Sequence, residues 1–166
     1  MYQFDVAQGS KGELYRDLLA ALDALTGGEP DWVANCANAS ALLWQYLPDL
    51  NWAGFYRMVA GELVLGPFQG KPACIRIAVG AGVCGAAVAA QTTQLVADVH
   101  AFPGHIACDA ASRSELVVPI LRGGEVWGVL DLDSPEAARF DAEDAAGCEA
   151  VAALLAARLP RSGTGG

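Results

Sequence analysis

Apolar positions recur with a helical period over the first third of the chain and with a strand period after it. Leu14, Leu18, Leu19, Leu22 and Leu25 return at steps of three and four, the stripe of an amphipathic helix. Ser10 followed by Glu13 gives this helix a capping-box start, and Gly27-Gly28 end it. Trp32, Cys36, Leu43 and Leu47 mark a second stripe, with Pro30 expected in its first turn and Pro48 closing it. From Asn51 the period shortens. Trp52, Phe55 and Tyr56 load a strand through Val59, Ala60-Gly61 read as a turn, and 62–65 return as the hairpin partner, which Gly66-Pro67 are expected to interrupt. A short strand is expected at 74–77, an alanine-rich helix opening at 80–85, and a short strand at Leu95-Val96. Strands at 116–121 and 126–132 flank a tight turn, Arg122-Gly123-Gly124-Glu125. Asp141 caps a last helix whose stripe is Cys148, Val151, Leu155 and Leu159. This order of elements predicts an α+β fold, a mainly antiparallel sheet with helices packed on one face. The aperiodic segment 98–113 is longer than most connections, a length that usually carries function.

Composition narrows the class. At 166 residues and 54% apolar, the chain suffices for one packed domain. Nineteen acidic residues against ten Lys and Arg, a formal charge of −9, oppose nucleic acid and anionic lipid as partners. No apolar run approaches the ~20 residues of a membrane span, and the first residues have no signal-peptide pattern. A cytoplasmic protein is expected. Five cysteines, an odd number with no Cys-x-x-Cys pair, argue against a disulfide framework or a zinc ribbon.

Three cysteines stand in unusual settings: Cys108 beside Asp109 and three residues after His105, Cys74 in Ala-Cys-Ile-Arg, and Cys84 in Gly-Val-Cys-Gly. Thiols in polar, glycine-punctuated segments suit thiolate chemistry, whereas Cys36 and Cys148 lie on helical stripes and read as core. Cys108 can be a nucleophile, a buried side chain, or a metal ligand with His100 and His105. Loop N–H groups or His105 are candidates for activating it. Asp131 and Asp133 alternate at a strand end and share a face, with Glu115 expected nearby. Three close carboxylates raise at least one pKa and can hold an ammonium group and supply a proton; the alternative is solvated strand ends. Trp52 and Tyr56 share strand parity and could wall a pocket or belong to the sheet core. The glycine run at 80–85 lacks phosphate-loop spacing but can offer helix N-terminal N–H groups to a carboxylate.

The strings Asn-Trp-Ala-Gly-Phe-Tyr at 51–56, Leu-Gly-Pro-Phe-Gln-Gly-Lys-Pro-Ala-Cys at 65–74, Gly-Val-Cys-Gly at 82–85, Asp-Val-His-Ala-Phe-Pro-Gly-His-Ile-Ala-Cys-Asp at 98–109, and Ser114-Glu115 closely resemble the free methionine-(R)-sulfoxide reductases, a family of stand-alone GAF domains. The resemblance spans roughly residues 11–158. It implies a GAF-like fold of about six strands with a pocket under the long loop, in a single domain over 1–160 with a tail at 161–166. It implies that Cys108 is the catalytic cysteine, that Cys74 forms the disulfide with it, and that Cys84 assists or substitutes as resolving thiol. Glu115, Asp131 and Asp133 would hold the substrate and promote loss of its oxygen. Trp52, Tyr56, Ile106 and Ala107 would complete the substrate contacts. The implied activity reduces free L-methionine-(R)-sulfoxide through a cysteine sulfenic acid and an intramolecular disulfide recycled by thioredoxin. No cofactor and no metal are expected, and a homodimer is left open. The competing readings are a non-catalytic GAF sensor of a small ligand or redox state, and a metal-binding regulator using His100, His105 and Cys108.

Overall fold

The computed structural model describes residues 6, 9–105 and 110–159. Two helices open the chain, α1 at Lys11–Thr26 and α2 at Trp32–Tyr46. Ser10 and Glu13 cap α1 reciprocally as their spacing predicts. Asp31 caps α2 by accepting from the Ala34 N–H, so Pro30 lies just before the cap and not in the first turn. The strands are β1 at Trp52–Val59, β2 at Glu62–Gly70 and β3 at Arg76–Ala78. Then come α3 at Gly82–Ala90, β4 at Gln94–Val96, a 3-10 turn at Val99–Ala101, β5 at Ser114–Arg122, β6 at Glu125–Ser134, and α4 at Ala142–Arg158.

The six strands form one sheet in the order β3-β2-β1-β6-β5-β4, antiparallel at every pairing. The β5–β6 turn carries positive φ at both Gly123 and Gly124, the geometry that keeps a two-residue hairpin in twist with its strands. Gly66-Pro67 do not interrupt β2 as expected. The β1–β2 register shifts between Gly54 and Tyr56, and the resulting bulge takes up Gly66 and Pro67, where proline's missing N–H costs no ladder bond.

Strand alternation sends side chains to two cores. Phe55, Leu116, Val118, Leu130 and Leu132 pack with α1, α2 and α4, and Cys36 and Cys148 are buried there, as their stripes predict. Trp52, Tyr56, Val117 and Val129 face the other way, with Val83, Cys84, Ala87 and Val88 of α3. The expectation of helices on one face therefore holds for α1, α2 and α4 but not for α3. The nine residues of α3 are nearly all apolar or glycine, so no amphipathic stripe betrays which face it covers. Its position roofs the sheet face that carries the candidate site. Among the described residues, no helix is long and apolar enough to cross a membrane.

Candidate active site

Register assembles the polar face. Across β1, β6 and β5, Trp52 pairs with Asp133 and Asp133 with Glu115; one pleat on, Gly54 pairs with Asp131 and Asp131 with Val117. Glu115 is thus the lateral neighbour of Asp133 and the diagonal neighbour of Asp131, within side-chain reach. The reading of these acids as solvated strand ends fails for two of them: Glu115 is 7% exposed and Asp131 6%. Cys84, on the first turns of α3, closes over both. Its Sγ donates to Asp131 Oδ2 at 3.3 Å and lies 4.0 Å from Glu115 Oε1.

Burial decides where the protons sit. Loss of solvent, then the charges of Asp131 and Asp133, push the Glu115 carboxyl well above its ordinary value, and its hydrogen bond to Asp131 keeps the proton on Glu115. Burial raises Asp131 to about 7 although Cys84 and Glu115 both hydrogen-bond its carboxylate. The Cys84 thiol is also pushed well up, first by burial and then by Asp131 and Glu115. A protonated carboxylic acid is therefore available here at neutral pH.

These shifts fix a sign for stability. Glu115 and Asp131 bind protons more tightly folded than unfolded. Between the unfolded carboxylate range and Asp131's value near 7, the native state holds more protons, so stability falls as pH rises. Asp141, lowered to about 2 mainly by its hydrogen bond to Lys11, has the opposite sign but acts below pH 4 and at the surface. The urea midpoint is expected to drop between pH 5 and pH 8. Asp131→Asn should flatten that slope and be the more stable protein at pH 8, by an amount on the order of a few kcal/mol. An unchanged slope in Asp131→Asn contradicts this electrostatic assignment.

The walls are aromatic. The Trp52 ring stacks on Tyr56 at 5.8 Å and on Phe68 at 5.2 Å between centroids, and its Nε1 donates to the Lys71 carbonyl at 3.2 Å. Gly54 permits this fold-over: a Cβ there would meet Phe68 Cβ at 2.3 Å and the far edge of Trp52 at 2.7 Å. Gly54→Ala should lower stability by ~1–3 kcal/mol through overpacking and change the near-ultraviolet circular dichroism as Trp52 shifts. A wild-type spectrum and melting midpoint would remove Gly54 from this role.

Together these residues enclose a cavity of about 50 Å³, several times what one water needs. Trp52, Tyr56, Cys84, Glu115, Asp131 and Asp133 all line it, so the structure joins six of the residues singled out in the sequence. Cys74 is disulfide-bonded and packs against the same core. The Tyr56 hydroxyl donates to its carbonyl at 3.0 Å, tying the strand that carries Tyr56 to the segment that carries Cys74. Cys36, Cys84 and Cys148 are free thiols. Ile106, Ala107, Cys108 and Asp109 lie outside the described residues. His105, at the edge of that segment, lines the cavity with a buried Nε2 that has no partner among the described residues; burial, then His100, lowers its pKa. The two imidazole rings stand edge to face at 6.1 Å.

Two polar lining residues were not singled out by the sequence reading, Lys71 and Ser112. Ser112 accepts from Asn51 Nδ2 at 3.1 Å, a link across 61 positions that no local spacing reveals. Lys71 lies inside the 65–74 string, but only the bulged return of β2 brings it to the cavity rim.

The GAF domain family model matches residues 15–159. The Escherichia coli protein named free methionine-R-sulfoxide reductase is 53% identical over 146 residues, covering 88% of each chain. The Saccharomyces cerevisiae protein of the same name is 45% identical over 154 residues, covering 88% of this chain and 86% of its own. Among solved structures, free methionine-R-sulfoxide reductase from Neisseria meningitidis in complex with its substrate superposes with a TM-score of 0.91 at 44% identity, over 95% of both chains.

Proposed function

The chain belongs to the free methionine-R-sulfoxide reductase family of GAF domains, and from that premise we propose that it reduces free L-methionine-(R)-sulfoxide to methionine at the cavity between the sheet and α3. The observation that carries the proposal is a buried acid cluster, Glu115–Asp131–Cys84, holding its protons at the floor of an aromatic-walled cavity, with the disulfide-bonded Cys74 packed against the same core.

Each part answers a need of the reaction. A sulfoxide oxygen leaves only when protonated, and Glu115 holds a proton at neutral pH for that purpose. Asp131 and Asp133 receive the substrate ammonium. The first turn of α3 offers its N–H groups to the substrate carboxylate. Trp52 and Tyr56 lie against the sulfoxide methyl, and Ile106 and Ala107 are the further substrate contacts that the family resemblance implies. The Cys108 thiolate attacks the sulfur of the protonated sulfoxide. The oxygen passes to Cys108, methionine leaves, and Cys108 is a sulfenic acid. The Cys74 thiol condenses with it, releasing water and forming the disulfide. One sulfoxide and two thiols thus become one thioether, one disulfide and one water. A thioredoxin-type dithiol returns both electrons by exchange.

The disulfide at Cys74 supports its role as resolving thiol, and Cys108 is its proposed partner. Cys84 is a poor nucleophile in this setting, because its thiol donates to Asp131 and burial disfavours the thiolate. Its proposed role is to hold the proton network that Glu115 draws on. A pocket that pairs both the amine and the carboxylate of its ligand rejects a peptide, which leaves those buried groups unpaired.

The test is consumption of methionine sulfoxide, resolved by epimer, with thioredoxin and its reductase. Turnover of the free R epimer is expected, with little activity on the S epimer or on a sulfoxide within a peptide. Equal rates on free and peptide-bound sulfoxide would overturn the enclosed-pocket argument. Tight binding of the sulfoxide without turnover would favour a sensor.

A further inference from the structure

We propose that Cys84, Glu115 and Asp131 form a reversible binding site for a thiophilic divalent cation of the zinc class, and that its occupancy excludes the substrate. One ligand atom from each residue can be chosen so that all three lie within 4.8 Å of one another, with Cys84 Sγ 3.3 Å from Asp131 and 4.0 Å from Glu115. In four-coordinate zinc, Zn–S bonds of ≈ 2.3 Å and Zn–O bonds of ≈ 2.0–2.2 Å separate the donors by about 3.5 Å. Side-chain adjustment of about an ångström brings the three to that spacing. They come from three elements, α3, β5 and β6, so the packed domain holds them in place.

Asp131 supplies the independent sign of a ligand. Among the described residues its Oδ1 is buried with no hydrogen-bond partner, on a residue 6% exposed that lines the cavity. A lone pair desolvated and aimed at nothing is costly; a cation satisfies it. The dication would displace two protons, the one Cys84 shares with Asp131 and the one Glu115 carries, and offset the charge this leaves in a low-dielectric site. The cavity leaves room for water as the fourth ligand, the open arrangement of non-structural zinc sites. A thiolate with two carboxylates selects zinc or cobalt over magnesium and calcium. His100, His105 and Cys108, the ligands weighed from the sequence, are not required.

Cobalt(II) titrated into the oxidised protein tests this. In that form the disulfide removes Cys74 from competition, and Cys36 and Cys148 lie in the opposite core. One equivalent is expected to give a thiolate-to-cobalt charge-transfer band with intense tetrahedral visible bands. Zinc should bleach them and a hundredfold excess of magnesium should not. The bands should survive Cys36→Ser and Cys148→Ser and vanish in Cys84→Ser, and Asp131→Asn should weaken cobalt binding about tenfold or more. The site assignment is overturned if no band forms or if it persists in Cys84→Ser. Free methionine sulfoxide should also bleach the band, an arm that rests on the proposed function. Calorimetry on metal-free protein separates the two failures. Sulfoxide that binds there yet leaves the cobalt band intact overturns the exclusion. No sulfoxide binding at all overturns the proposed substrate, while the variants still decide the metal site.

Discussion

Cys108→Ser is expected to abolish methionine release even in a single turnover with fully reduced protein, bringing the burst below detection. The sulfur nucleophile forms the first new bond, and a serine hydroxyl in its place has neither the nucleophilicity nor the oxidation chemistry. Cys74→Ser should behave differently. It should release about one methionine per site and then stop, because the sulfenic acid forms but no disulfide follows for thioredoxin to reduce. The nearest competitor for the attacking role is Cys84, and its environment argues against it: 4% exposed, hydrogen-bonded to a carboxylate, and flanked by a second. Cys36 and Cys148, each pushed up to about 12 by burial, should leave the chemistry intact when changed to serine. A stoichiometric burst in Cys108→Ser that is absent from Cys84→Ser would exchange the roles of the two thiols.

Much of the fold is legible because its signals are local. Ser10 and Glu13, Asp141, and the two-glycine turn at 123–124 each act within a few residues, and the structure keeps all of them. The candidate site is legible for a related reason: a strand's period of two is rigid, so Asp131 and Asp133, or Trp52 and Tyr56, must share a face wherever the strand goes. What sequence could not supply is the third dimension of that face. Pro67 reads as an interruption until a register shift against the neighbouring strand β1 gives it a bulge. The almost wholly apolar α3 carries no stripe to say which side of the sheet it covers, yet its side decides that Cys84 meets Asp131. Whether Glu115 and Asp131 are solvated or buried, an open question on spacing alone, is settled by that one placement.

Glu115→Gln is expected to slow sulfenic acid formation by ~10²–10⁴-fold, the usual cost of removing a general acid, while leaving substrate affinity nearly unchanged. Glutamine keeps the shape and the hydrogen bond toward Asp131 but has no proton to give. The pH dependence separates this from a packing effect. Burial and the neighbouring carboxylates raise Glu115, so the wild-type single-turnover rate should hold through neutral pH and fall on the alkaline side as Glu115 loses its proton. In Glu115→Gln that alkaline fall should disappear along with most of the rate. Asp131→Asn and Asp133→Asn should instead raise the apparent substrate constant, since each removes a charge-assisted contact to the ammonium. Asp131→Asn should also shift the alkaline limb downward, because one of the charges that raises Glu115 is gone. The decisive measurement is single-turnover kinetics at saturating substrate across pH. A wild-type rate in Glu115→Gln would pass the donor role to Asp131, whose value near 7 is the next best suited to it. Wild-type rates in all three variants would leave the buried carboxylates without a part in the chemistry and return the cavity to the sensor reading.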